Sequence, residues 1–338
     1  MSKKNSICFV AGRSGGHLIP GLTLAKKIGE KDQNTQILFF TTNTQLDKKI
    51  IQSHTFINTW VQIALGNVPN KKMMYPLFLL KLATSFLKSL YILIKKRPKK
   101  VISMGGYISI PVCFAAFFLR IPIEVYELNA SPGKAIKLLS NIAHKIHVCF
   151  SSATSYLPKK KCNVTQYPIR FAQEASSTKK RTKQFCPTKK TILILGGSQG
   201  SVAINTMMKQ WIEKSKKYHD RFQIIHQTGN ADNTNWKEFY KEFSFASIHF
   251  DFKNDIQTYY QTADIIICRS GAGTLFENIF FKKRFITIPL ETLKTAHQLD
   301  NAKEIEKSYP ELATVIRQAE VEKSVDTFYK TLHDHIGT

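Results

Sequence analysis

Short apolar runs that end in glycine, each followed by a stretch with helical spacing, recur along this chain. Residues 7–11 (ICFVA) run into Gly12, Gly15 and Gly16, and residues 18–28 then carry apolar side chains at helical intervals. Residues 37–40, 100–103 (closing on Gly105 and Gly106) and 123–127 read as further strands of the same unit. Residues 171–190 break the rhythm, being polar, basic and poor in large apolar side chains. The pattern restarts at 191–195, which ends in Gly196 and Gly197, and continues through 224–227, 247–252 and 265–268. Strands alternating with helices predict parallel sheets covered on both faces, so the chain reads as α/β with two doubly wound domains. In such sheets ligands bind beyond the carboxyl ends of the strands, where every glycine cluster here falls.

One segment departs from that alternation. Residues 71–100 (KKMMYPLFLLKLATSFLKSLYILIKKRPKK) form an apolar stripe, interrupted by Lys81 and Lys88 and closed by Lys95, Lys96, Arg97, Lys99 and Lys100. An uninterrupted span of ~20 apolar residues is missing, so the stripe predicts a helix that lies in a membrane surface, or on the core, rather than one that crosses a bilayer.

At 338 residues the chain exceeds what a single core ordinarily supports, which agrees with two domains and a cleft between them. Its 49 Lys and Arg against 24 Asp and Glu give a formal charge of +25, which draws phosphates, whether of a membrane, a nucleotide or a nucleic acid. A nucleic-acid partner is set aside, because no recognised nucleic-acid motif and no series of aromatics spaced for base stacking occurs. Six cysteines without a CxxC pair, four of them in apolar runs, predict buried thiols in a reducing compartment. A strand beginning within the first ten residues leaves no room for a signal peptide and predicts a cytoplasmic protein.

The chemistry gathers in loops. Gly12-Arg13-Ser14-Gly15-Gly16-His17 stands between strand and helix, where backbone N–H groups and the helix dipole favour an anionic oxygen. His17 adds an imidazole, a side chain suited to taking a proton from a sugar hydroxyl near neutral pH. Further loops are Gly105-Gly106-Tyr107, Glu127-Leu128-Asn129, Gly196-Gly197-Ser198-Gln199-Gly200, His226-Gln227-Thr228-Gly229, Arg269-Ser270-Gly271-Ala272-Gly273-Thr274-Leu275-Phe276-Glu277 and His297-Gln298-Leu299-Asp300-Asn301-Ala302. In that order and spacing they resemble the MurG family, the UDP-N-acetylglucosamine:undecaprenyl-pyrophosphoryl-muramyl-pentapeptide N-acetylglucosaminyltransferases. The resemblance covers nearly the whole chain and is weakest at 171–190 and after about 320.

It implies two Rossmann-like domains facing a cleft, the GT-B architecture. An acceptor- and membrane-associating domain would occupy 1–168, a linker 169–190, and a UDP-sugar-binding domain 191–320. A helical tail, 321–338, would return to the N-terminal domain. The resemblance further implies inverting transfer of N-acetylglucosamine from UDP-N-acetylglucosamine to the 4-hydroxyl of a lipid-linked muramyl-pentapeptide, at the cytoplasmic face of an anionic membrane, with no cofactor and no metal. It places the donor on Ser198, Lys253, Ala272, Gly273, Thr274, Leu275, Glu277 and Gln298, with Ser14, Gly15, Gly16, Asn129 and Arg170 contributing. Glu277 would accept from two ribose hydroxyls, the start of its helix would meet the diphosphate, and Gln298 would read sugar hydroxyls.

Two departures bear on catalysis. Arg13 and Ser14 stand where the family has Gly and Thr, and Tyr126 and Leu128 where it has His and Gln around Glu127. The catalytic expectation therefore rests on His17 as base, with Glu127 its partner or an alternative base. A related transferase with another glycolipid acceptor, and a non-catalytic basic nucleotide- or nucleic-acid-binding protein, are the competing readings.

Overall fold

A computed structural model describes residues 5–66, 68–69, 71–176, 182–197, 199–230, 232–292 and 295–336. The chain divides into two units, Met1–Arg170 and Phe171–Thr338.

The first unit is a seven-stranded sheet in the order β3-β2-β1-β4-β5-β6-β7, every neighbouring pair parallel. The strands are β1 (Ser6–Val10), β2 (Gln36–Thr42), β3 (Thr59–Ile63), β4 (Lys100–Ser103), β5 (Ile123–Glu127), β6 (Lys145–Val148) and β7 (Cys162–Val164). Helices α1 (Gly15–Lys31), α2 (Gln45–Ile51), α3 (Tyr75–Lys96), α4 (Ser109–Phe118) and α5 (Lys134–Leu139) connect them. The strand order reverses between β1 and β4, so the loops after these two strands flank the switch point, the preferred ligand position in such sheets.

The second unit repeats the plan with six strands in the order β10-β9-β8-β11-β12-β13, again all parallel. Its strands are β8 (Lys190–Leu195), β9 (Phe222–Gln227), β10 (Ala246–Phe250), β11 (Ile265–Cys268), β12 (Arg284–Thr287) and β13 (Ala313–Val315). Its helices are α6 (Val202–Lys214), α7 (Trp236–Glu242), α8 (Gln257–Thr262), α9 (Ala272–Phe280), α10 (His297–Ser308), α11 (Gln318–Lys323) and α12 (Val325–Ile336). Here the order reverses between β8 and β11, which puts the Gly196–Gly200 turn and the start of α9 at the switch.

Two segments at the expected boundaries pack within the second unit. The stretch expected as a free linker belongs to the second unit where it is described: Phe171 packs its ring on Tyr260, Phe280 and Phe281, the Ala175 carbonyl accepts from Gln261, and the Cys186 N–H donates to Gln223. The tail, where it is described, packs on α6. Its Phe328 and Leu332 are fully buried in the second unit's own core with Met208, Trp211 and Phe222, because an amphipathic last helix buries its stripe on the nearest apolar face.

The α3 helix is inverted relative to an ordinary core helix. Its fully buried positions are Ser85, Ser89 and Leu93, while Leu77, Leu79, Leu80, Leu87, Tyr91 and Ile94 are at least half exposed. Small serines, each bonded to the carbonyl one turn back, let α3 approach α4 closely, and Phe78, Leu82, Phe86 and Leu90 reach the core from its flanks. The exposed Phe117 and Phe118 at the end of α4 extend the same apolar surface through an edge-on contact between Phe118 and Phe86.

Candidate active site

In the first unit, β1 delivers the chain into a tight loop. Gly12 has no room for a side chain, since an added Cβ would lie 2.8 Å from Asp47 Oδ2 and 2.9 Å from the Thr42 backbone nitrogen. Arg13 follows in the left-handed region at φ 69°, and Ser14 begins α1 without using its hydroxyl as a cap. No acidic residue stands in the first turn of α1, which leaves its N-terminal N–H groups and dipole with no carboxylate of that turn to neutralise them.

His17, in that first turn and half exposed, lies against the loop after β4. Gly105 and Gly106 both have positive φ, 87° and 79°, and a Cβ on Gly106 would come within 3.4 Å of His17 Nδ1. The two glycine loops of the switch point thus meet around the imidazole, and the left-handed turn of the second loop is what glycine allows there.

Glu127, at the end of β5, is only 2% exposed. One carboxylate oxygen accepts the Asn129 N–H at 2.8 Å and the Asn129 amide at 3.2 Å, and the other accepts the Gly133 N–H at 3.2 Å. Burial raises its pKa to about 7 despite these donors. The carboxylate therefore organises the 128–133 loop and orients Asn129, and a free face for a substrate hydroxyl is not apparent in its bonding. Because the folded pKa lies above the usual 4.5, the native state binds the extra proton between those values. The burial penalty is absent below pH 4.5 and complete above about pH 7, so it lowers stability as pH rises through that window. Chemical denaturation at pH 5 and pH 8 should show that the loss in the parent exceeds that in Glu127→Gln by on the order of 3 kcal/mol. Equal losses would mean that the carboxyl is not the titrating group.

The family's histidine position, Tyr126, points to the opposite face of β5, as strand alternation requires. Its ring stacks on His147 of β6 with centroids 4.3 Å apart. His147 in turn bonds Glu124 at 3.2 Å, and Lys100 bonds the same carboxylate at 2.8 Å; the His147 bond first, then Lys100, hold Glu124 down to about 2. Burial pushes the Tyr126 phenol up to about 12, which removes it as a base near neutrality.

In the second unit the loops after β8 and β9 touch through backbone alone. Gly197, Gly200 and Gly229 all have positive φ, and a Cβ on Gly229 would fall 2.4 Å from Gly200 Cα. Beside them Gln199, Gly229, Asn230, Asp251 and Phe252 line a pocket of about 340 Å³. Lys253 follows directly, its ammonium 3.3 Å from the Tyr259 hydroxyl and 5.1 Å above that ring. Ser198 lies outside the described residues.

The rim of this pocket is tied to the core. Asn205 gives its amide N–H groups to the Thr228 carbonyl at 3.2 Å and Asp232 at 2.9 Å, so its oxygen is the acceptor for His226 Nε2–H at 3.2 Å. His226 Nδ1 is then left to accept from the Tyr240 hydroxyl at 2.8 Å, and burial lowers its pKa to about 3, keeping it neutral.

Helix α9 opens at Gly271 with no side-chain cap and no acid in its first turn. Ala272 and Leu275 are buried, and Gly273 and Thr274 are half exposed at the helix start. Glu277 is 8% exposed and accepts the Tyr260 hydroxyl at 2.9 Å. The Gln298 side-chain oxygen accepts the Leu290 N–H at 3.0 Å. Asn301, one turn further along α10, donates to the Ser270 carbonyl at 3.3 Å, so the starts of α9 and α10 are joined. Arg170 is the last residue of the first unit.

The sequence motifs contain Arg269 but do not single it out. It is 9% exposed, gives Nε and Nη2 to the Ser201 hydroxyl at 3.0 and 2.7 Å and Nη1 to the Ile288 carbonyl at 3.1 Å. Burial lowers its pKa to about 10, so the guanidinium stays charged and places a cation between the starts of α6 and α9. Asp47, which holds the first glycine loop, lies outside every quoted motif; an acid in the first turn of the helix after the second strand was its only signal.

Residues 7–148 match the Glycosyltransferase family 28 N-terminal domain, and residues 191–335 match the Glycosyltransferase family 28 C-terminal domain. Among similar sequences, a protein of Thermodesulfovibrio yellowstonii is 34% identical over 88% of this chain and 82% of its own length. One of Syntrophus aciditrophicus is 31% identical over 89% and 82%, and one of Prochlorococcus marinus is 30% identical over 98% and 87%. All three are named UDP-N-acetylglucosamine–N-acetylmuramyl-(pentapeptide) pyrophosphoryl-undecaprenol N-acetylglucosamine transferase. Among solved structures, Acinetobacter baumannii MurG superposes with a TM-score of 0.73 at 22% identity, covering 99% of this chain and 91% of that one. A UDP-N-acetylglucosamine 2-epimerase superposes with a TM-score of 0.63 at 13% identity over 98% and 86%, a likeness of fold alone. Two doubly wound units, the glycine loops at their switch points and this identity along nearly the whole chain agree, and the chain belongs to the MurG family of glycosyltransferases.

Proposed function

We propose that the chain transfers N-acetylglucosamine from UDP-N-acetylglucosamine, with inversion and without a metal, to the 4-hydroxyl of undecaprenyl-pyrophosphoryl-N-acetylmuramyl-pentapeptide. The observation that carries this reading is the 34% identity over 88% of the chain with a transferase named for that donor and acceptor. The roles below belong to that reading. His17 takes the acceptor's proton as the new glycosidic bond forms, and the anomeric carbon releases UDP. The N-terminus of α9 and the glycine turns of the second unit stabilise the negative charge that develops on the departing diphosphate. Glu277 holds the ribose, and the amide of Gln298 reads the sugar. Purified protein given UDP-N-acetylglucosamine and a short-chain lipid-linked muramyl acceptor should form product, in EDTA as well as without it. No product with that acceptor would overturn the reading, and product that needs added Mg²⁺ would overturn its metal-free part.

We also propose that α3 lies in the cytoplasmic surface of an anionic membrane. Lys81, Lys88 and Lys95 recur every seven residues, two helical turns, along one border of the exposed leucine stripe, where the stems of Lys81 and Lys95 can lie on apolar surface while their ammonium groups reach phosphates. Lys88 gives its ammonium to the Gln62 carbonyl at 2.8 Å and Lys100 is committed to Glu124, so both drop out of the basic set. Replacing Lys81, Lys95, Arg97 and Lys99 by Gln should weaken binding to phosphatidylserine-containing vesicles, at ~1 kcal/mol for each residue near the surface, and leave turnover of a water-soluble acceptor analogue intact. Vesicle binding that survives the change and ignores salt would point to an apolar or protein docking surface.

A further inference from the structure

We propose that Asp47 is a positioning residue that latches the first glycine loop into its working shape and thereby sets His17; the inference rests on the role given to His17 above. Asp47 sits in the first turn of α2, capped by Thr44, and is fully buried. Its carboxylate is spent on the backbone of two neighbouring loops. Both oxygens accept the Arg13 N–H, at 3.0 and 3.1 Å, and Oδ2 also accepts the Thr42 N–H at 3.1 Å and the Thr42 hydroxyl. Gly12 is closed against the same oxygen, so the carboxylate and the loop are shaped to one another.

What the latch holds is a strained residue. Arg13 has φ 69°, a region that a side-chain-bearing residue seldom adopts and that glycine enters freely. The bidentate grip on its N–H orients the peptide that leads into that conformation. Four residues later comes His17, so a change at Arg13 alters where the imidazole meets the Gly105–Gly106 backbone. An amide cannot replace the acid, because one of its two heads is a donor and would face either the Arg13 or the Thr42 N–H.

The experiment is a double-mutant cycle of Asp47→Asn with Arg13→Gly, read by kcat, by the Kd for UDP and by hydrogen exchange of the peptide spanning residues 9–18. D47N should lower kcat by about tenfold or more, as small misplacements of a reacting group do. The Kd for UDP, most of whose assigned contacts lie in the second unit, should change less than kcat, and exchange in 9–18 should accelerate. In the R13G background the kcat cost of D47N should shrink by about fivefold, because glycine takes the left-handed conformation without being held there. Equal costs in both backgrounds, or unchanged kcat and exchange in D47N, would overturn the proposal. If D47N fails to fold, Asp47→Glu keeps the charge and displaces the acceptor oxygens, and should show the same accelerated exchange and the same sensitivity to R13G. A parent protein that transfers no sugar, with the exchange pattern as expected, would support the latch and overturn the catalytic reading instead.

Discussion

His17→Ala is expected to lower turnover by ~10²–10⁴, the usual contribution of a positioned general base, with little change in the Kd for UDP. The expectation stands on placement. His17 is half-buried in the first turn of α1, against the Gly105–Gly106 turn, whereas Tyr126 is stacked on the other sheet face and Glu127 is enclosed by its own loop. Glu127→Gln is the informative comparison, since it keeps shape and removes charge. If it abolishes turnover while His17→Ala leaves most of it, the base is Glu127, and the imidazole is a structural or phosphate-side group.

Glu277→Ala should weaken UDP binding by ~2–3 kcal/mol, about 30- to 150-fold in Kd, by removing charge-assisted bonds to the ribose. The same change strips the Tyr260 hydroxyl of an acceptor at a fully buried position, so some loss of stability is expected as well. Glu277→Gln separates the two effects, because its amide oxygen can still accept from Tyr260 while the charge is gone. Calorimetry with UDP decides the matter. Affinity unchanged in the Ala variant would show that the carboxylate does not hold the ribose, which would need another partner.

Much of this arrangement was legible in the chain. Short apolar or β-branched runs located β1, β2, β4, β5, β8, β9, β10 and β11, those of β1, β4 and β8 closing on glycine, since a strand buried on both faces needs little but apolar residues and a turn. The peripheral strands β7 and β13 are three residues each and half exposed, so their apolar signal is too thin to read. The motifs located the glycine loops and the start of α9, because a turn that presents backbone N–H groups at a helix start is written in glycine at fixed spacing.

Local pattern, then, determined the α/β class, the two sheets, their parallel sense and the family, all of which depend on periodicity and on residues near one another in the chain. Contacts between distant residues decided the rest. Three donors in the 128–133 loop made Glu127 an anchor, and the stacking of Tyr126 on His147 carried that departure away from the imidazole. The close approach of α3 to α4 over serines turned the leucines outward, and the α6 face drew the last helix into the second unit. Asp47 carries no motif, and its part appears only when an acid 34 residues from Arg13 closes on that residue's N–H. Burial and hydrogen-bond partners belong to pairs of segments, and no single segment's sequence specifies the other member of the pair.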